Sequence, residues 1–135
     1  MANRDQDWFR QAVRDLEQAN DSAASQRHEW ACFAAQQAAE KAVKALHLNR
    51  GQEAWGHVIA RLLQELPQDS ACGEDLLDKA RVLDGYYVAA RYANGHAEGP
   101  PFEHYGKLQS SEAIRYAGEI IEFVRPQMAG RRDGP

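Results

Sequence analysis

The chain is short of the residues that build sheets. Alternating β-branched runs are almost absent and alanine dominates instead, which excludes a β-sandwich or barrel. Only two cysteines occur, Cys32 and Cys72, and they form no CxxC pair. That excludes a disulfide framework and a zinc ribbon, and leaves two free thiols in a reducing cytoplasm as the expectation. No apolar run is long enough to span a bilayer, and the opening MANRDQDW has no apolar core of a secretory signal. A basic excess is also missing. Lys and Arg number 16 against 20 Asp and Glu, for a net charge of −4, so nucleic acid would have to be held by a local patch. No phosphate-binding Gly-x4-Gly-Lys loop, no Gly-x-Ser-x-Gly elbow and no His-x3-His pair is present. No metal and no cofactor are expected.

What is present is helical. The 135 residues are 44% hydrophobic, enough for one core. One domain is expected over 1–128, with a frayed tail over 129–135. Trp8, Phe9, Ala12, Val13, Leu16 and Ala19 recur at helical spacing and predict a first helix from about Asp5, as its N-cap, to Ala24. A second runs from about Arg27 to Leu48, with Trp30, Phe33, Ala34, Ala38, Val43 and Leu46 inward and Asn49-Arg50-Gly51 as its stop. A third opens at about His57, buries Val58, Ile59, Leu62, Leu63 and Leu66, and ends before Pro67. A fourth covers about Glu74 to Tyr92. The Gly- and Pro-rich stretch 93–109 predicts a long loop. The last helix is expected from Ser110 or Ser111 until Pro126 stops it. Five helices with mostly short links imply an all-α, antiparallel four- to five-helix bundle.

Three segments, taken together, point further. They are FAAQQAAEKAVKAL at 33–46, HVIARLL at 57–63, and LDGYYVAARY at 83–92 before the loop and last helix. In that order they resemble a HEPN domain, the family named for nucleotide binding in higher eukaryotes and prokaryotes. The resemblance spans about Trp8 to Val124. It implies an up-and-down bundle that dimerises, small chains that partner a minimal nucleotidyltransferase, and, in some members, metal-independent endoribonuclease toxins of toxin–antitoxin pairs. Those ribonucleases carry an Arg followed at four to six residues by a His, and Arg91 and His96 fit that spacing. Tyr92 stands where they usually carry a polar residue, which places the chain nearer the non-ribonuclease branch. Glu98 occupies the position of the modified tyrosine in the antitoxin-modified branch.

The chemistry of these residues supports two readings. An Arg fork and a His titrating near neutrality suit metal-free RNA cleavage, with Arg91 and His96 catalytic. Arg91 also suits phosphate binding without cleavage, and its plain alternative is a surface Arg favoured by the dipole at a helix C-terminus beside a loop His. Tyr87 and Arg91 share a face at i,i+4, so Tyr87 and Tyr92 beside the guanidinium can sandwich a base; the alternative makes Tyr87 a core residue and Tyr86 a boundary residue. Gln36, Gln37, Glu40, Lys41 and Lys44 ride the second helix as a solvated face, with Glu40 and Lys44 paired and Lys41 or Lys44 available to phosphate. His57 can contact the same cleft or cap its helix. The small face of Ala34, Ala35, Ala38, Ala39 and Ala42 predicts a close dimer seam. The functional expectation is a nucleotide- or RNA-phosphate-binding module, with a ribonuclease and a ligand-free helical interaction protein as the alternatives.

Overall fold

The computed structural model describes residues 3–130; the tail expected over 129–135 lies mostly outside them. Among the described residues there are six α-helices: α1 (Asp5–Ala24), α2 (His28–Asn49), α3 (Ile59–Gln64), α4 (Glu74–Asp84), the single-turn α5 (Tyr86–Ala89) and α6 (Lys107–Gly130). No strand occurs among the described residues. The chain is an all-α helical bundle. Helix α2 is its axis, packed on α1 and α6 along its length and on α3, α4 and α5 elsewhere. A helix buried on several sides needs small residues, and α2 supplies them. Ala35, Ala38, Ala39 and Ala42 are fully buried and Ala34 nearly so, all inside one chain. The alanine face expected to form a dimer seam is therefore the intramolecular seam of the bundle. Leu46, Ile59, Leu62, Leu83, Ile120, Ile121 and Val124 fill the remaining core.

Helix ends account for most departures from expectation. Asp5 is not the cap of α1 but its first residue. Asn3 Oδ1 accepts from the Asp5 amide at 2.8 Å, and the buried Asp5 carboxylate accepts from the Gln6 amide at 2.8 Å and from Asn49 Nδ2 at 3.0 Å. Both long N-terminal helices end in the same double-bonded turn. At the end of α2 the Gln52 amide donates to His47 O and the Gly51 amide to Leu48 O, with Gly51 at φ 76°. At the end of α1 the Arg27 and Gln26 amides bond Ser22 O and Ala23 O, but the left-handed residue is Gln26, at φ 66°.

Helix α3 begins two residues later than expected, because its free amides are capped from another helix. The Asp84 carboxylate accepts from the amides of Ile59 at 2.6 Å and Ala60 at 3.1 Å. Val58 is thereby left extended and 51% exposed rather than buried. The helix expected over 74–92 breaks at Gly85, the weakest helix former in that stretch, giving α4 and α5.

The stretch 93–109 is not a plain loop. It contains 3₁₀ turns at Ala93–Gly95 and Pro101–His104, and α6 already starts at Lys107. The reason is a side-chain cap: Gln109 Oε1 accepts from the Gly106 amide at 2.8 Å, the glutamine half of a capping box. Ser110, expected as an N-cap, is buried in the first turn with its hydroxyl 2.8 Å from His28 Nδ1. Pro126 does not end α6, which continues to Gly130. Past the proline, Arg50 donates to Gln127 O at 3.2 Å, Asn49 Nδ2 donates to Met128 O at 3.3 Å, and Met128 is buried. These contacts hold the last turn against the local cost of the proline.

Candidate functional site

The short α5 and the turn after it carry the residues of interest. Tyr87 and Arg91 lie one turn apart, and Arg91 Nε donates to Tyr87 O at 2.8 Å. That bond fixes the guanidinium over three rings. Its Cζ lies 4.3 Å from the centroid of Phe33 on α2, 4.8 Å from Tyr87 and 5.0 Å from Tyr92. Among the described residues no carboxylate pairs with Arg91, so its terminal nitrogens keep their donors for an outside acceptor. Tyr92 is 53% exposed beside it.

His57 reaches the same cluster from the segment before α3. Its ring stacks on Tyr87, with centroids 4.5 Å apart and planes 17° apart. Its Nδ1 lies 3.1 Å from Glu40 Oε2. A carboxylate only accepts, so Nδ1 carries the proton it donates to Glu40. Glu40 is only 4% exposed and also accepts from Lys44 Nζ at 3.0 Å and from Gln36 Nε2 at 3.1 Å. Gln36 is fully buried. The face of α2 expected to be solvated at Gln36 and Glu40 is therefore a buried polar network that holds His57. The Glu40–Lys44 pair is present as expected, 3.0 Å apart.

The structure thus gathers Arg91, Tyr87, Tyr92 and His57. It does not bring the two lysines to them. Lys41 pairs with Asp15 of α1 at 2.6 Å, and Lys44 lies between Glu40 and the Trp8 ring, 5.8 Å from its centroid. His96 turns to other partners. The Ala93–Gly95 turn packs so closely on α5 that a Cβ on Gly95 would sit 2.8 Å from Ala89 Cα. This approach brings His96 Nε2 to 2.6 Å from Ala89 O, to which it donates. The ring stacks on His104 with centroids 4.1 Å apart. Among the described residues, no group of three or more metal-ligating side chains converges.

Phe33, Trp30 and Gln36 belong to this region without having been read from the sequence as part of it. Trp30, expected inward, is 50% exposed, and its ring meets Phe33 edge-on at 6.2 Å. The i,i+3 spacing of Trp30 and Phe33 was the available signal, and core periodicity accounts for it equally well. No helix among the described residues is long and apolar enough to cross a membrane.

Comparison with known proteins agrees with this architecture. No curated protein matches the chain. The crystal structure of TT1696 from Thermus thermophilus is 48% identical, with a TM-score of 0.91 over 93% of this chain and 99% of that one. ST0689, described as an archaeal HEPN homologue, is 39% identical, with a TM-score of 0.80 over 94% and 99%. A HEPN domain protein of Thermotoga maritima, tm0613, is 32% identical, with a TM-score of 0.74 over 91% and 98%. The model of the HEPN domain matches residues 6–127, and with it the chain belongs to the HEPN domain family.

Proposed function

We propose that the protein is a binding module that holds the phosphate of a nucleotide or of RNA on Arg91. The observation that carries this reading is the guanidinium itself. It is fixed by Tyr87 O, layered on Phe33, Tyr87 and Tyr92, and unpaired with any carboxylate among the described residues. A pre-oriented fork with free donors suits phosphate, and the rings beside it suit a base. Binding is favoured over cleavage because His96 Nε2 is engaged by Ala89 O and its ring by His104.

Membership of the HEPN family supports the further proposal that the chain is a homodimer and the partner of a minimal nucleotidyltransferase in a toxin–antitoxin-like pair. With the alanine face buried inside the bundle, the dimer would use the exposed apolar residues flanking the site. Trp55, Val58, Val88 and Tyr92 are exposed on the segments that carry His57, Tyr87 and Arg91.

The test is incubation of a short single-stranded RNA with the wild type and with His96→Ala in chelator. Binding without cleavage, unchanged by His96→Ala, is expected. Chelator-resistant cleavage that stops with His96→Ala would overturn the binding reading in favour of a ribonuclease.

A further inference from the structure

Next to Arg91 lies a second feature that its phosphate-binding role does not use. Helices α1 and α2 leave an open groove of about 550 Å³ between them. Trp30, Phe33 and Ala34 give it an apolar floor, and Arg27, Gln37 and the Lys41–Asp15 pair give it a polar rim. Size and composition are those of a small-molecule site: mostly apolar, with a few polar groups that set orientation. Phe33 belongs to both places, since it lines the groove and lies under the Arg91 guanidinium.

We infer that this groove is the base subsite of the same ligand, one nucleotide unit whose ring lies on Trp30 and Phe33 while its phosphate sits on Arg91. The inference rests on the phosphate-binding reading of Arg91. One ribose separates base from phosphate in a nucleotide, and one ring separates the groove from the guanidinium. Two acceptors in the polar lining, on Gln37 and Glu29, suit the base end. Gln37 Nε2 donates to Gln36 Oε1 at 2.8 Å, and among the described residues its own Oε1 has no partner. Glu29 adds a carboxylate to the same wall. Acceptors beside an aromatic floor recognise a base bearing an exocyclic amine, as adenine does. The exposure of half of Trp30 leaves its ring available for stacking.

Calorimetric titration of the full chain with AMP and with ribose 5-phosphate tests this. The wild type is expected to bind AMP about five- to a hundred-fold more tightly than ribose 5-phosphate, the range that stacking one base supplies. Trp30→Ala, at an exposed position whose thermal melt verifies folding, should erase that preference and leave ribose 5-phosphate binding unchanged. Arg91→Ala should weaken both ligands alike. A short adenylate RNA run alongside distinguishes the source. Tighter binding than AMP with the same Trp30 dependence assigns the subsite to RNA, and equal binding assigns it to a free nucleotide; both support the subsite. Equal affinity of the wild type for AMP and ribose 5-phosphate would overturn the subsite and leave the role of Arg91 standing. Binding of neither would overturn both. A Trp30→Ala chain that halves its solution mass and keeps the AMP preference would give the groove to a second copy and overturn the inference.

Discussion

His57 lies flat on Tyr87, 4.5 Å between centroids, and Tyr87 is one of the three rings beneath Arg91. The imidazole is held in that plane by Glu40, which is buried on α2. Glu40→Ala removes the acceptor shared by His57, Lys44 and Gln36, and leaves the buried Gln36 amide nitrogen only its longer bond to His57 O at 3.4 Å. A loss of about 2–4 kcal/mol in urea unfolding is expected. Glu40→Gln should lose less, because one oxygen remains to accept. Equal stability of Glu40→Ala and the wild type would contradict the network.

Asp84 caps α3 from α4, and burial raises its carboxyl above the usual carboxylate range although the amides of Ile59 and Ala60 pull the other way. An acid with a raised folded value binds its proton more tightly folded than unfolded. Lowering the pH through the interval between those two values therefore favours the folded chain at this residue. The stability of the wild type relative to Asp84→Asn should rise between neutral pH and the ordinary carboxylate value, as followed by urea melts at several pH values. Asp84→Ala should cost about 1–2 kcal/mol at pH 7 by leaving two amides uncapped.

Gln26 is the described non-glycine residue with positive φ, at 66°. A side chain there costs about 1–2 kcal/mol, and glycine gives back part of that gain in the unfolded chain. Gln26→Gly should therefore stabilise the protein by about 0.5–1 kcal/mol, seen as a higher Tm. A lower Tm would show that the Gln26 side chain contributes contacts that outweigh its backbone strain.

The thiols should differ. Cys32 is fully buried, and burial, with the Glu29 charge, pushes it up to about 12. Cys72 is half-buried and raised by burial, to a degree that its own backbone reduces. A thiol reagent at pH 8 should label Cys72 in the native protein and Cys32 only after unfolding. Rapid native labelling of both would indicate that the bundle opens around α2.

Much of this fold was legible because its long helices are locally consistent. The apolar stripe from Trp8 to Ala19 and the uninterrupted alanine-rich run of α2 placed both helices to within a residue or so. Asn49-Arg50-Gly51 marked a stop that local geometry alone enforces. The misses share one cause, partners distant in the chain. Nothing near Val58 signals that Asp84 will cap the next two residues, and nothing near Pro126 signals that Asn49 and Arg50 will hold the turn beyond it. Gln36 and Glu40 read as surface because their partner His57 lies 21 and 17 residues away. At the site, the i,i+4 pair Tyr87 and Arg91 was visible and His57 was a candidate for the same cleft, whereas Phe33 joins them only through packing.

The central claim is that Arg91 is the phosphate-binding group. Its most direct test is the affinity of a short single-stranded RNA, by fluorescence anisotropy at one fixed salt concentration, for the wild type and for Arg91→Ala. Loss of a charge-assisted fork of about 1.5–3 kcal/mol corresponds to roughly ten- to a hundred-fold weaker binding, and that is the expected result. Equal affinity of the two proteins would contradict it.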